Sequence, residues 1–129
     1  MSENTKLLLI DDEEDIRDVL TLILESNFDY EVVQASSGNE AIELLKTTEG
    51  IGLVFCDYRM PDGNGGVVYS YMKDNLSHLP YVMVSTDGPE DYSVFLSFKE
   101  DNPLNNCIKK PFGPDTVVDM VTNTFQKSF

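Results

Sequence analysis

Basic residues are scarce in this chain: nine lysines and arginines stand against 23 aspartates and glutamates, for a formal net charge of -14. A field of that sign repels nucleic-acid phosphates and anionic lipid, so no nucleic acid is expected as a direct partner and no membrane surface either. Long apolar runs are also lacking. The opening Met1-Ser2-Glu3-Asn4 carries no basic stretch, and the apolar run from Leu7 to Ile10 is far too short for a signal segment or a membrane span. A soluble, cytoplasmic protein is the expectation. Cysteine is limited to Cys56 and Cys107, both within apolar stretches and without close ligand spacing, which argues against a disulfide or zinc site and for two buried free thiols. No glycine-rich or serine-rich tract, internal repeat or linker divides the chain.

What is present is an ordinary globular composition, 41% hydrophobic and 25% charged over 129 residues. A chain of this length can bury roughly two thirds of its unfolded surface in one core. Residues 1–129 are therefore expected to form a single domain, with no further domain after the last helix. Short apolar runs rich in branched residues alternate five times with segments of helical period, the signature of a parallel sheet wrapped by helices. The strand expectations are Lys6 to Ile10, Tyr30 to Ala35, Ile51 to Cys56, Tyr81 to Val84 and Asn106 to Ile108. In the first helix Ile16, Val19, Leu20 and Ile23 share one face, with Glu14, Arg17, Asp18 and Glu25 largely elsewhere. A second helix spans about Asn39 to Lys46 with Ala41, Leu44 and Leu45 inward. A third spans about Gly66 to Leu76 with Val68, Tyr71 and Met72 inward. A fourth is expected after Asp87-Gly88-Pro89-Glu90, a capping pattern, and carries Tyr92, Phe95 and Phe98 at helical spacing. A fifth starts near Pro114, with Val117, Met120, Val121 and Phe125.

In open parallel sheets ligands sit beyond the carboxyl ends of the strands, where the strand order reverses. Those ends are loaded with acids: Asp11 and Asp12 follow the first strand and Asp57 the third. Carboxylates a few ångströms apart raise one another's pKa, and a hard divalent cation relieves the repulsion. All-oxygen ligands favour magnesium or manganese over zinc. Glu13, Glu14 and Asp15 read instead as acids complementing a helix N-terminus. Lys110, at the end of the fifth strand, can supply positive charge on the side away from the metal, and a cis peptide before Pro111 is one way to aim it inward. Ser85-Thr86 offers a hydroxyl at the same edge, although such residues are often plain helix caps. Acids after strands one and three, a hydroxyl after four and a lysine after five form a set that chance seldom assembles.

Four segments carry a resemblance: Leu9-Ile10-Asp11-Asp12-Glu13-Glu14, Asp57-Tyr58-Arg59-Met60-Pro61, Met83-Val84-Ser85-Thr86 and Lys109-Lys110-Pro111-Phe112. Together they resemble the receiver domain of two-component response regulators, over nearly the whole chain. The resemblance implies an α/β fold, a doubly wound five-stranded parallel sheet of flavodoxin-like order 2-1-3-4-5 with five helices. It implies Asp57 as phosphoacceptor, and Asp11, Asp12, Asp57 and the backbone carbonyl of Arg59 around Mg2+. Ser85 becomes the hydroxyl that turns toward the phosphoryl group and Lys110 the phosphate-binding lysine. Met60, Pro61 and Gly65 fall where the family shapes the loop after the acceptor, and Pro111 where it places a cis proline. The implied partners are a sensor histidine kinase or phosphotransfer protein as donor and a downstream target protein. The implied state is a monomer or a phosphorylation-dependent dimer, catalysing its own phosphorylation and dephosphorylation rather than turnover of an external substrate.

The pattern is not followed everywhere. Cys107 stands where many relatives carry a switching tyrosine or phenylalanine, so aromatic switching there cannot operate as such. Arg59 and Asp87, two beyond Asp57 and Ser85, are opposite charges placed to pair across the mouth of the site and restrict attacking water. His78, in the Ser77-His78-Leu79-Pro80 loop, reads as a surface histidine rather than a phosphoryl carrier. A haloacid-dehalogenase-type phosphatase would need a second acid where Arg59 stands, and a flavodoxin would need a phosphate loop where Asp11 and Asp12 stand. The remaining alternative is a receiver-fold binding module that acts without phosphorylation.

Overall fold

The computed structural model describes residues 5–60, 65–86, 88, 91, 92, 95 and 97–127, with the side chains of 126 and 127 left aside. Five strands and five helices alternate along the described chain: β1 (Lys6–Ile10), α1 (Glu14–Asn27), β2 (Glu31–Ala35), α2 (Gly38–Thr47), β3 (Ile51–Asp57), α3 (Gly65–Asn75), β4 (Tyr81–Ser85), α4 (Phe98–Asp101), β5 (Asn106–Lys109) and α5 (Pro114–Lys127). The strands form one parallel sheet in the order β2-β1-β3-β4-β5, as expected.

The period of two in the strands sorts the core into two layers. Leu7, Leu9, Leu53, Phe55, Val82, Val84 and Ile108 pack with Leu20 and Leu24 of α1 and Val117 and Val121 of α5. Their sequence neighbours Leu8, Ile10, Val54, Cys56, Tyr81 and Met83 pack on the opposite side with α2, α3 and Phe98 of α4. Because both faces are covered, the strands read as unbroken apolar runs rather than alternating ones.

Three expectations about packing need correction. In α1 Leu20 and Leu24 are buried and Ile16 and Ile23 pack beside them as expected, but Val19, at the edge of that stripe, is 56% exposed. In α3 Tyr69 is fully packed and Tyr71 only partly so. Cys56 is buried as expected, but Cys107 is half-buried, since β5 is an edge strand covered less completely than β3.

The fourth helix differs most. Among the described residues it comprises only Phe98–Asp101, and tight turns precede it: Asp91 N–H donates to Gly88 O and Phe95 N–H to Tyr92 O, each at 3.1 Å. Turns with an i to i+3 bond place every third side chain on one side, which suits the spacing of Tyr92, Phe95 and Phe98. Phe95 and Phe98 are buried, and Tyr92 stacks on Tyr58 with ring centroids 3.9 Å apart. The capping pattern proposed around Asp87, Pro89 and Glu90 lies outside the described residues.

Candidate functional site at the carboxyl edge of the sheet

β1 lies between β2 and β3, so the chain departs to opposite sides at the ends of β1 and β3. In the register Ile10 faces Cys56, which sets Asp11 and Asp57 side by side just beyond the pair. Asp11 is buried, and its backbone N–H donates to Ala35 O at 3.1 Å. Its carboxylate accepts from Glu13 N–H at 2.9 Å. Asp57 is buried and Asp12 exposed, and each of Asp11, Asp12 and Asp57 brings a carboxylate oxygen to within 4.8 Å of the others.

The cation faces this patch from β5. Lys110 Nζ lies 3.4 Å from Asp57 Oδ1, and its backbone N–H donates to Ser85 O at 2.9 Å, which extends the β4–β5 ladder to the site. The Lys110–Pro111 peptide is cis. Ser85 is buried at the end of β4, at the same edge. Thr86, next to it, is exposed.

Burial dominates the electrostatics. It raises the Asp11 carboxyl to about 6, against the Glu13 N–H bond that stabilises the anion, with the nearby Asp57 charge raising it further. Burial also raises Asp57, opposed by the Lys110 charge and hydrogen bond and by the Arg59 N–H, while Asp12 adds to the rise. Two desolvated carboxylates and a third at the rim, all offering hard oxygen, suit a divalent cation of the magnesium class.

The loop after β3 is held from behind. Gly65 N–H donates to Tyr58 O at 2.9 Å and Tyr81 Oη donates to Gly65 O at 2.9 Å. A Cβ at Gly65 would lie 2.8 Å from Tyr58 Cα and 2.8 Å from Tyr81 Oη. Gly65→Ala is therefore expected to destabilise the fold by about 1–3 kcal/mol through overpacking, read as a lower urea midpoint with unchanged slope. Met60 is buried and Arg59 exposed. Pro61 and Asp87 lie outside the described residues, and with Asp87 the Arg59–Asp87 pair. His78 is exposed in the turn before β4, as expected of a surface histidine.

Sequence reasoning passed over one polar network. Arg17 of α1, assigned only to an outer face, reaches the Asp11 carbonyl at 2.7 Å and Gln34 of β2 at 3.0 Å. Its position in the first helix gave no sign of this, because one partner is the Asp11 main chain just before α1 and the other, Gln34, comes from β2.

A flavodoxin-like parallel sheet with a carboxylate cluster and a facing lysine at its switch point defines a receiver-type signalling domain. The chain belongs to the response regulator receiver domain family, whose model matches residues 7–122, and thus to two-component signal transduction. It is 32% identical over 120 residues to the response regulator SaeR of Staphylococcus aureus, covering 92% of this chain and 50% of that protein. The chain thus spans about half the length of the curated relatives it matches. Among solved structures, a response regulator receiver domain protein from Clostridium thermocellum aligns with TM-score 0.81 and 25% identity over 96% of both chains. The receiver domain of NtrX from Brucella abortus aligns with TM-score 0.77 and 25% identity, over 93% of this chain and 98% of that one. No helix among the described residues is long and apolar enough to cross a membrane.

Proposed function

We propose that residues 1–129 act as one phosphoryl-accepting receiver in which Asp57 takes a phosphoryl group from a phosphohistidine on a sensor kinase or phosphotransfer protein. The observation that carries this reading is the 3.4 Å approach of Lys110 Nζ to Asp57 Oδ1 beside the three-carboxylate cluster. An Asp57 carboxylate oxygen attacks phosphorus, the N–P bond to the donor imidazole breaks, and an O–P bond forms to give an acyl phosphate. Lys110 balances charge on the incoming oxygens, and Ser85 offers its hydroxyl from the end of β4. Asp11, Asp12 and Asp57, with the backbone carbonyl of Arg59, are the residues that would hold Mg2+. Bound there, the ion offsets negative charge on the phosphoryl oxygens. Hydrolysis of the acyl phosphate resets the domain, and the charge change at Asp57 biases the surface read by a downstream target.

The donor's approach is supported by an apolar groove of about 480 Å³ that opens beside Lys110 and is walled by Ile16, Val19, Leu20, Pro111 and Phe112. Val19, one of its walls, is 56% exposed. Beryllofluoride, which mimics a phosphoryl group on a carboxylate, tests the reading. Its binding should require both magnesium and the Asp57 carboxylate, and binding that persists in Asp57→Asn would count against it. If Asp57→Asn instead leaves partner binding and its regulation intact, the chain works as a phosphorylation-independent module.

The raised Asp11 carboxyl gives this site a pH dependence. Protons and cation compete for the same oxygens, and Asp11 titrates near 6. Magnesium affinity is expected to be flat above that value and to fall as pH drops through it, which calorimetric titrations across the range will read.

A further inference from the structure

Arg17 stands next to an acidic patch, yet its donors go to neutral acceptors. Nη1 donates to the backbone carbonyl of Asp11 at 2.7 Å and Nε to Gln34 Oε1 at 3.0 Å. Gln34, carried by β2, in turn donates through Nε2 to Thr21 Oγ1 at 2.9 Å, so both ends of its amide are held by α1 side chains. Asp11 is consequently gripped on both sides of its backbone: Ala35 O accepts its N–H at 3.1 Å, and Arg17 binds its carbonyl. Its carboxylate is left facing Asp12 and Asp57.

We infer that Arg17, locked in place by Gln34 and Thr21, is a positioning residue that fixes the Asp11 backbone so that its carboxylate meets a divalent cation. The inference rests on the magnesium site proposed above and adds to it the device that aims one ligand. A planar guanidinium suits the task, because its fork can hold two acceptors from different elements at once, which an ammonium cannot do with the same geometry. Groups that orient metal ligands typically change affinity about 10–100-fold when removed. Charge alone predicts the opposite sign. A cation this close repels a bound metal, so deleting it without any loss of positioning would tighten binding.

The two accounts separate in calorimetric Mg2+ titrations without phosphodonor on the native chain, Arg17→Met, Arg17→Lys, Gln34→Met and Asp11→Asn, each checked for folding by circular dichroism. Positioning predicts about 10-fold weaker binding in folded Arg17→Met, partial recovery in Arg17→Lys and a smaller loss in Gln34→Met. Equal or tighter binding by folded Arg17→Met overturns the inference and leaves the magnesium site standing. A native chain that binds no magnesium, or an Asp11→Asn variant that binds it as well as the native chain, takes down the site and the inference together. Should Arg17→Met not fold, native affinity in both Arg17→Lys and Gln34→Met overturns the inference instead.

Discussion

Lys110→Met is expected to slow phosphoryl uptake from a small phosphodonor by about 100–1,000-fold, the range seen when one preorganised donor to developing charge is removed. The ammonium lies 3.4 Å from Asp57 Oδ1, on a side chain only 27% exposed and against a carboxylate side chain 7% exposed, so water cannot fully replace it. Methionine keeps most of the stem and removes the charge, which separates electrostatics from packing. Magnesium affinity should move the other way and tighten, because a competing cation has left the patch. A rate within a few-fold of native would show that Lys110 does not balance charge in the transfer. Its ladder bond to Ser85 O is made by the backbone and survives the change.

Asp11→Asn should make the metal-free protein more stable at neutral pH while abolishing its response to magnesium. Burial raises the Asp11 carboxyl from 3.8 to about 6, so the folded chain favours the protonated form. That preference is fully expressed as stability below 3.8 and is lost as pH rises through about 6. Asparagine stays neutral at every pH and can still accept from Glu13 N–H, so it should recover about 1–3 kcal/mol above that window. The native chain would instead gain about 3 kcal/mol when magnesium reaches a hundredfold excess over its dissociation constant. Thermal unfolding with chelator and with magnesium reads both effects. A native chain stabilised above pH 6 relative to Asp11→Asn without any metal would show that the cluster is not under electrostatic strain.

These expectations rest on positions that the chain order alone made visible. Acids at the ends of β1 and β3 and a lysine at the end of β5 converge because the parallel sheet fixes which strand ends meet, and branched apolar runs are enough to place those strands. The resemblance supplied the strand order, which the sheet bears out. The inner face of α1 was read correctly at Ile16, Leu20 and Ile23, but Val19 at its edge is exposed and Leu24 also reaches the sheet. Helical periodicity marks a face but not its rotation against a neighbour. For the aromatics at 92, 95 and 98, spacing by three suits both an α-helix and successive tight turns, so the sequence does not choose between them. Stacking on Tyr58 and contact with Tyr69 and Tyr81 decide where those rings go, and such ring contacts join segments distant in sequence. The Arg17–Gln34 link was invisible for the same reason, being a tertiary hydrogen bond between α1 and β2.

The central claim, that Asp57 is the phosphoacceptor of a magnesium-dependent site, is tested most directly by intact-protein mass after incubation with magnesium and acetyl phosphate, on the native chain and Asp57→Ala. A single phosphoryl adduct on the native chain, absent with chelator and absent from Asp57→Ala, is the predicted result. An adduct of equal size on Asp57→Ala, or one that forms as well without magnesium, would contradict it.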